Sequence, residues 1–300
     1  MTENIKIKSE EINIGCVKAV KVSCLDDFDI SQIFDCGQAF RFLPVGDDPY
    51  HIGGVAFGRY VEFIQDGSTL TIKNSTLDEF ERIWKRYLAL DLDYSHIKRE
   101  LVEAFTTQGD SGVLSRAMQV GHGIRLLRQE PWECLCSFII SQNNNIPRIR
   151  KIIDALCKRY GERTEFEGRD YYSFPTPEAI AGAGVDAIFE LRTGFRAKYI
   201  HDAALAVSEN RLVLNELFSL DTAEVERALC SVKGVGPKVA ACVMLFSLEK
   251  YDAFPIDVWV KRILEKYYPD GLDIKALGKY AGIAQQYLFY YERYFGGDEQ

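Results

Sequence analysis

The sequence predicts an α+β domain at residues 1–110 followed by an all-helical domain at residues 111–300. Alternating, strand-like segments are concentrated in the first domain and largely vanish beyond Gly109, where apolar residues recur at helical spacing instead. A glycine-rich turn joins two helix-like segments within Leu229–Leu248. The chain has 300 residues, 47% of them hydrophobic, which is enough to fill a core in each domain.

The first domain is expected to contain a short antiparallel sheet. Apolar and polar residues alternate in Val17–Val22, Gln38–Phe42 and Tyr60–Ile64, and a β-branched segment follows at Thr69–Ile72. Asp66-Gly67, between the last two segments, is typical of a tight hairpin turn. These segments therefore predict at least one hairpin within the sheet.

Helical features are also predicted in this domain. A helical turn is expected to interrupt the strands near Asp29–Phe34. Thr76 and Glu79 have the spacing of a capping box, which would start a helix by satisfying its first backbone N–H groups. The apolar residues that follow at helical spacing are Phe80, Ile83, Trp84, Tyr87 and Leu88. The resulting amphipathic helix would cover one face of the sheet.

The second domain is expected to be a series of helices with short connections rich in Gly, Pro or Asp. We place these helices near residues 112–120, 131–142, 147–160, 184–191, 196–209, 222–232, 237–248, 257–268 and 273–293. Asp221 and Glu224 predict a capped start for the helix before the glycine-rich turn. Asp257 is expected to cap a later helix.

The glycine-rich turn has the properties of an anion site. Gly234 and Gly236 lie two residues apart, and Pro237 suits the first turn of the following helix, where a missing N–H is harmless. Backbone N–H groups would then point outward from a positive helix N-terminus. Lys238 lies just inside that helix. Paired glycines alone indicate only a tight turn, so the function of this turn has to be inferred from other residues.

Composition indicates free thiols and an uneven charge distribution. Eight cysteines are scattered without paired spacing, so neither a zinc site nor a disulfide framework is predicted. The net charge of −8 argues against a polyanionic partner, yet basic residues dominate Gln142–Arg163. This segment fits either a solvated helix face or a nucleic-acid surface.

No apolar run has the length of a signal peptide or a membrane span, so a cytoplasmic protein is expected.

Several stretches in both domains resemble one enzyme family. They are Cys36–Arg41, Glu133–Phe138, Asn143–Arg148, the run Gly234–Cys242 with Pro255–Val258, and Gly282–Phe289. Together they are similar to the helix-hairpin-helix DNA glycosylases, and specifically to the 8-oxoguanine DNA glycosylase branch, as a bacterial relative of the eukaryotic enzymes. The resemblance implies a helix-hairpin-helix catalytic domain at residues 111–300 and a partner domain at residues 1–110.

The family's chemistry falls on Lys238 and Asp257. The resemblance implies that Lys238 attacks C1′ of the sugar and holds it as a Schiff base, for which the amine must be unprotonated. The helix N-terminus and burial against a sugar favour the neutral amine, whereas the carboxylate of Asp257 favours the ammonium. Asp257 is expected to stabilise positive charge on the sugar and to assist proton transfer. The alternative is that Asp257 acts only as a helix cap, and the two roles are compatible.

By the same resemblance, a base pocket is formed by residues from both domains. Cys242 and Phe289 would sandwich the flipped base, and Gln285 would contact its Watson–Crick edge. The Gly37 carbonyl would accept from N7–H, which is a donor in 8-oxoguanine and an acceptor in guanine. Without the resemblance, core packing for Cys242 and Phe289 and a turn at Gly37 would be preferred.

The resemblance assigns the family's contacts with duplex DNA to polar and aromatic residues of the second domain. Asn143 would fill the space left by the flipped base, and Arg148 and Arg196 would bond the orphaned cytosine while Phe195 wedges beside it. The DNA backbone would lie on the hairpin residues, which are Gly234, Val235 and Gly236. The alternative is an Asn-rich turn and arginines on helix surfaces.

Departures from the family pattern occur next to the hairpin and the pocket. Val232-Lys233 replaces a usual Leu-Pro, Phe195 stands where the animal enzymes carry Tyr, and Trp259 stands where they carry His. These changes leave the hairpin packing and the details of the base pocket open.

The expected partner is double-stranded DNA that contains oxidised guanine, with the protein acting as a monomer, away from membranes and near the nucleoid. No cofactor is expected, although a monovalent cation at the hairpin is compatible with the pattern. The C-terminal iron–sulfur cluster of related endonucleases is excluded, because no cysteine follows Cys242. Other readings are a glycosylase for another lesion, such as a formamidopyrimidine or an alkylpurine, and a non-catalytic helix-hairpin-helix module that binds DNA.

Overall fold

The structure, a computed structural model, describes residues 7–296 and confirms an antiparallel sheet followed by a helical region. The start of the chain, considered above for a signal peptide, lies outside the described residues at positions 1–6. The strands are β1 (Lys8–Ile14), β2 (Val17–Ser23), β3 (Leu43–Pro44), β4 (His51–Ala56), β5 (Arg59–Asp66), β6 (Thr69–Lys73), β7 (Arg163–Phe166) and β8 (Arg169–Tyr172).

The main sheet has the order β1-β2-β6-β5-β4-β3, and all neighbouring strands are antiparallel. Its register follows the alternation in the sequence, since Val20 and Val22 of β2 are buried and Lys21 between them is exposed. The hairpin expected at Asp66-Gly67 joins β5 to β6, and Gly67 has a φ of +55°, which the turn requires. The hairpin prediction is therefore confirmed.

The helical elements make up most of the remaining chain. The α-helices are α1 (Ile30–Asp35), α2 (Leu77–Glu79), α3 (Lys85–Tyr87), α4 (Tyr94–Thr106), α5 (Val113–Val120), α6 (Pro131–Ser141), α7 (Ile146–Tyr160), α8 (Pro177–Ile188), α9 (Arg196–Ser208), α10 (Thr222–Cys230), α11 (Pro237–Phe246), α12 (Val258–Tyr267) and α13 (Ala281–Phe295). Phe80–Trp84 and Phe189–Thr193 are π-helical, and Leu214–Ser219 and Ile274–Tyr280 are 3₁₀-helical. None of the helices in this part of the chain is long and apolar enough to cross a membrane.

The predicted helix starts are confirmed where a side chain caps them. Thr76 and Asp221 each form a complete capping box, with Glu79 and Glu224 respectively. Asp257 caps α12 by accepting from the N–H groups of its first turn. Sequence patterns located these helices well because the caps are local interactions.

Two predicted helices differ from the structure at glycines. The helix expected over 184–191 begins earlier, as α8, and Gly184 interrupts it with a φ of +78°. The helix expected over 273–293 is divided, because Gly278 has a φ of +77° and separates a 3₁₀ segment from α13. In both places glycine adopts a conformation that breaks the helix.

The structure also contains elements that the sequence analysis missed. Helix α4 was omitted although its buried residues, Tyr94, Ile97, Leu101 and Phe105, have helical spacing. The expectation that strands end in the first domain is wrong, since β7 and β8 form a hairpin within the second. Tertiary packing stabilises these short polar strands, as the Tyr171 ring stacks on Tyr60 of the main sheet at 3.6 Å between centroids.

The core has two main hydrophobic clusters. One lies against the main sheet and is rich in aromatic residues, including Phe34, Phe63 and Trp84. The other runs through the helices around α6, in which residues 134–140 are all buried. An ion pair of 3.1 Å between Arg41 and Glu133 ties the sheet region to α6. The domain boundary between residues 110 and 111 stays a prediction.

Candidate active site and DNA interface

The glycine-rich turn joins α10 to α11 and leaves the start of α11 open. Gly236 is the N-cap residue, has extended backbone angles, and provides no side-chain cap. A Cβ added to Gly236 would meet no atom within 4 Å, so the space in front of the helix is free. Within the described residues, the N–H groups of Gly234 and Gly236 have no acceptor and can donate to an anionic group, whereas the Val235 N–H already donates to the Val232 carbonyl at 3.0 Å. Anion binding at this turn stays a prediction.

Gly234 has a different role in the same turn. It has a φ of +86°, and an added Cβ would lie 2.1 Å from Cγ of Tyr199. The Tyr199 ring thus packs directly on the turn from α9, and Val235 is buried behind it. The Gln142 side chain donates to the Gly234 carbonyl at 3.0 Å. The turn is held by α9 and by the end of α6, both distant in sequence.

Lys238 lies in the first turn of α11 and is half-buried. Its Nζ is 5.5 Å from the centroid of the Phe138 ring, which belongs to α6. Phe138 is itself buried, because Phe246 stacks on it and Phe40 packs against its edge. The amine therefore has an apolar, aromatic surface on one side and solvent on the other.

Cys242 lies one helical turn beyond Lys238 and is 3% exposed. Burial raises the pKa of its thiol to about 11, although the charge of Lys238 and a hydrogen bond from Lys238 act in the opposite direction. The Asp257 carboxylate is also close enough to raise this pKa. Cys242 is thus a neutral thiol at physiological pH, and the three groups form one cluster.

Asp257 combines a structural interaction with a position in this cluster. Its Oδ1 accepts from the backbone N–H groups of Trp259 and Val260, each at 2.9 Å. These bonds fix the carboxylate at the N-terminus of α12, where negative charge is favourable. The Trp259 ring, which replaces the histidine of the animal enzymes, packs under Arg262 at 4.9 Å.

Gly37 and Phe289 are in contact with each other. A Cβ on Gly37 would lie 3.5 Å from Cε1 of Phe289, which is ordinary contact. Its φ of +81° is what favours glycine at this position. Among residues 7–296, no hydrogen bond ends on the Gly37 carbonyl oxygen. The two residues assigned to opposite parts of the base pocket are therefore adjacent.

Gln285 lies on the same face of α13 as Phe289, four residues earlier. The residue is 4% exposed, and its Oε1 is buried without a hydrogen-bond partner within the described chain. Leaving a buried acceptor unpaired costs about 1–3 kcal/mol. Such an atom is expected where a ligand supplies the missing donor.

The loop between α6 and α7 forms an exposed polar surface. Asn143 is exposed and has a φ of +51°, and Asn145 caps α7 by accepting from the Arg148 backbone N–H. The Arg148 side chain is exposed and donates to the Arg192 carbonyl at 3.3 Å. Both Asn143 and Arg148 are accessible to a large partner.

Arg196 is placed differently from Arg148. It is 2% exposed, and its guanidinium donates to the carbonyls of Gln142 and Asn143, each at 2.9 Å. Burial and the like charge of Arg148 lower its pKa. Arg196 therefore holds the Asn143 loop in this structure, and its contact with a cytosine stays a prediction that requires these bonds to be exchanged.

Phe195 is 53% exposed, and its neighbour Tyr199 packs on the glycine-rich turn. The Arg196 guanidinium lies 4.5 Å from the centroid of its ring, and Tyr199 packs against its edge at 5.9 Å. An exposed aromatic ring held on two sides is suited to insert between bases. Phe195, Asn143 and Arg148 thus share one surface with the hairpin.

The basic residues of α7 are not equivalent. Two of them near its end form ion pairs with nearby carboxylates, which are Lys158 with Asp154 and Arg159 with Glu190. Arg163, which follows the helix at the start of β7, pairs with Asp170. Within residues 7–296, Arg148, Arg150 and Lys151 have no such pair. Positive charge is therefore available only in the first half of α7, next to Asn143.

The site residues predicted from the sequence do not include Phe138, Gln142 or Tyr199. Phe138 supports Lys238, and Gln142 and Tyr199 hold the glycine-rich turn. Tyr199 had a weak signal, because it follows Phe195 by four residues on one helix. The described residues contain no group of three His, Cys, Asp or Glu side chains that could hold a metal ion. A site without a cofactor and a monovalent cation at the hairpin stay predictions.

Comparison with known proteins places this geometry in a family. Residues 21–135 match the model of the 8-oxoguanine DNA glycosylase N-terminal domain, and residues 136–273 match that of the HhH-GPD superfamily base excision DNA repair proteins. The N-glycosylase/DNA lyase OGG1 of Arabidopsis thaliana is 36% identical over 62% of this chain. The chain spans about half the length of this curated relative, namely 52%.

Solved structures extend the likeness to nearly the whole chain. MBOgg1, solved with a low-affinity DNA ligand, is 42% identical with a TM-score of 0.88, covering 96% of this chain and 99% of that one. The 8-oxoguanine glycosylase/lyase of Clostridium acetobutylicum, solved with duplex DNA containing cytosine opposite 8-oxoguanine, is 37% identical with a TM-score of 0.87. This match covers 97% of this chain and 99% of the clostridial chain. Agreement of this extent in both sequence and fold shows that the chain belongs to the 8-oxoguanine DNA glycosylase/lyase family of the HhH-GPD superfamily.

Proposed function

We propose that this protein is a bifunctional DNA repair enzyme that removes 8-oxoguanine opposite cytosine and then nicks the abasic site. The observation that carries the proposal is the cluster of Lys238, Cys242 and Asp257 at an open helix N-terminus. A nucleophilic amine, a carboxylate and an anion-binding backbone are the groups that such a reaction needs.

Base recognition follows from two unpartnered acceptors. The Oε1 of Gln285 is buried without a donor, and the Gly37 carbonyl also lacks one among the described residues. 8-Oxoguanine offers N–H donors on its Watson–Crick edge and an additional donor at N7. Guanine has a lone pair at N7, which would oppose the Gly37 carbonyl. Cys242 and Phe289 provide apolar surfaces for the two faces of the base.

The chemistry is assigned to Lys238. The ammonium of Lys238 first gives up a proton, and its Nζ then bonds to C1′ as the bond from C1′ to N9 breaks. The electron pair leaves with the base, which takes up the proton that the ammonium released. The amine lone pair then expels O4′, which gains the proton that Nζ loses, and a Schiff base forms. Loss of a proton from C2′ expels the 3′-phosphate, and water releases Lys238. Asp257 stabilises the positive charge on the sugar.

Duplex binding is assigned to the surface around the hairpin. The turn of Gly234, Val235 and Gly236 would hold a phosphate through the free N–H groups of its two glycines, since the Val235 N–H donates to Val232. Asn143 would occupy the space of the flipped base. Phe195 would wedge beside the orphaned cytosine, which Arg148 and Arg196 would recognise by its acceptors. The enzyme would act as a monomer on nucleoid DNA in the bacterial cytoplasm, without a cofactor.

The test is a cleavage assay on duplexes that carry 8-oxoguanine opposite each of the four bases. We expect strand cleavage at the lesion, fastest opposite cytosine, and its loss in Lys238→Gln with duplex binding retained. Parallel duplexes with a formamidopyrimidine or an alkylated purine report other specificities. Absence of cleavage at 8-oxoguanine in the wild-type protein would contradict the proposal.

The opposite-base preference has its own control. Arg148→Ala should reduce the preference for cytosine by about tenfold, which corresponds to one good base contact. Arg211→Ala removes an exposed arginine that pairs with Glu209, away from this surface, and should leave the preference unchanged. An unchanged preference in Arg148→Ala would exclude the role of this residue.

A further inference from the structure

The turn that presents Gly37 is held on both sides by glutamine side chains. Gln286 donates from Nε2 to the Cys36 carbonyl at 2.6 Å, and Gln129 donates to the Gln38 carbonyl at 2.7 Å. The Gly37 carbonyl between them receives no hydrogen bond within residues 7–296. The carbonyls before and after the recognition group are therefore fixed, while that group remains available.

Gln286 belongs to helix α13, which also contacts Asp35, the residue before Cys36. Arg293 donates to the Asp35 carbonyl at 3.3 Å, and the Tyr294 hydroxyl donates to an Asp35 carboxylate oxygen at 2.6 Å. Gln286 and Arg293 are seven residues apart and lie on one face of the helix. This face binds the Asp35–Cys36 segment, while the neighbouring face carries Gln285 and Phe289.

The Gln286 side chain differs from those of Arg293 and Tyr294 because it is deeply buried. It is 2% exposed, and its bond to Cys36 lies in the protein interior, so water cannot replace the donor if the side chain is removed. The peptide between Cys36 and Gly37 would then have an unpaired carbonyl next to a glycine. Glycine adopts many backbone conformations, so the φ angle of Gly37, which is +81° here, could then change, and the direction of the Gly37 carbonyl would change with it.

We infer that Gln286 is a positioning residue for lesion discrimination, acting through Cys36 to aim the Gly37 carbonyl at N7 of the flipped base. This inference rests on the proposed function. The discrimination between an N–H donor and a lone pair depends on the direction of the acceptor. One helix thus places both recognition groups, the Gln285 amide directly and the Gly37 carbonyl through Gln286.

The test compares two reactions of Gln286→Met, which retains length and burial but cannot donate. Excision of 8-oxoguanine opposite cytosine, measured in single turnover, should slow by at least about tenfold. Cleavage of a preformed abasic site opposite cytosine should change by less than about twofold, since that reaction has no base to recognise. The intact second activity also shows that the variant is folded.

Gln32→Met is the matched control. The Gln32 side chain donates to the Val120 carbonyl at 3.1 Å and accepts from the Gly123 N–H at 2.9 Å, but it forms no hydrogen bond with the pocket turn. Its backbone carbonyl, which accepts from the Cys36 N–H, is unchanged by the substitution. Both of its reaction rates should remain within about twofold of the wild type. Unchanged excision in Gln286→Met, or an equal loss of both activities, would overturn the inference. Wild-type protein that does not excise 8-oxoguanine would instead refute the proposed function, and the inference with it.

Gln286→Glu provides a second variant of almost identical shape. Its carboxyl group can donate to the Cys36 carbonyl only while protonated. Its excision rate relative to the wild type should therefore fall as the pH rises from about 6 to about 9, while its relative rate of abasic-site cleavage stays constant. A relative excision rate that does not change with pH contradicts the role of the hydrogen bond.

Discussion

Individual residues in the site combine a structural bond with a chemical role, and Asp257 is the clearest case. Its carboxylate caps α12 and also lies close enough to Cys242 to raise the pKa of that thiol. A capping residue is held rigidly by the backbone, which fixes the direction of the charge. The two roles are separable, because asparagine caps a helix about as well as aspartate does.

Asp257→Asn should keep the fold and lose the chemistry. The free energy of unfolding should change by less than about 1 kcal/mol, since the cap remains and only a helix-terminal charge is lost. Base excision should fall by about 10²-fold or more, since no negative charge opposes the developing positive charge of the sugar. Single-turnover excision and thermal unfolding measure the two effects.

Asp221→Asn is the control for this substitution. Asp221 caps α10 in the same way, through the backbone N–H of Glu224 at 2.8 Å. It should show the same small change in stability and unchanged excision. Equal losses of activity in both variants would mean that Asp257 acts only as a cap.

Residues whose roles depend on local spacing could be predicted from the sequence. Lys238 and Cys242 are one turn apart on one helix, and the structure places both in one cluster. Phe138 and Gln142 could not be predicted, because they reach the site from α6, about a hundred residues away in the chain. Arg196 had a family role, but its buried bonds to the Asn143 loop depend on tertiary contacts.

At the scale of elements, the two glycines of the glycine-rich turn have different roles. Gly234 accommodates the Tyr199 ring, whereas Gly236 faces open space at the start of α11. The sequence showed the pair but not this difference, since Tyr199 comes from another helix. The same limit applied to β7 and β8, whose pairing depends on contacts with the main sheet.

Alanine substitutions distinguish the two glycines. Gly234→Ala should lower the free energy of unfolding by about 2–5 kcal/mol, because the methyl group overlaps Tyr199 and the backbone has a positive φ. Gly236→Ala should change it by less than about 1 kcal/mol but weaken duplex binding, since a methyl group then blocks the open helix end. Urea unfolding and a binding titration measure these effects. Similar destabilisation by both substitutions would contradict this division.

At the scale of the whole molecule, stability should depend on pH through the region where α6 meets the sheet. Glu130 precedes α6 and accepts from the backbone N–H of Phe57 at 2.7 Å. Burial and the nearby Glu133 carboxylate raise the pKa of Glu130 from its ordinary 4.5 to about 7. The folded protein therefore binds a proton that the unfolded chain has released, and stability falls as the pH rises between these values.

Glu130→Gln should remove this contribution. Above pH 7 the variant should be more stable than the wild type by about 1–2 kcal/mol, and the two should converge near pH 4.5, where both side chains are neutral. Thermal unfolding across this pH range measures the difference. Glu265→Gln, at an exposed position of α12, should show no such pH-dependent difference. A constant difference at all pH values would contradict the assignment to Glu130.

The overall architecture was largely predictable, because alternation, caps and turn residues are encoded locally. Its two clusters meet through contacts that no local pattern reveals, such as the ion pair of Arg41 with Glu133. These contacts bring Gly37 from the first domain to Phe289 near the end of the chain. The proposed base pocket therefore depends on the whole molecule rather than on any single motif.

The central claim is that Lys238 is the nucleophile, and mapping the covalent adduct tests it most directly. The wild-type protein is incubated with an 8-oxoguanine·cytosine duplex and borohydride, which reduces the Schiff base to a stable bond, and the digested adduct is located by mass spectrometry. We predict a single modified residue, Lys238. An adduct on the neighbouring Lys233 or on another amine would contradict the account.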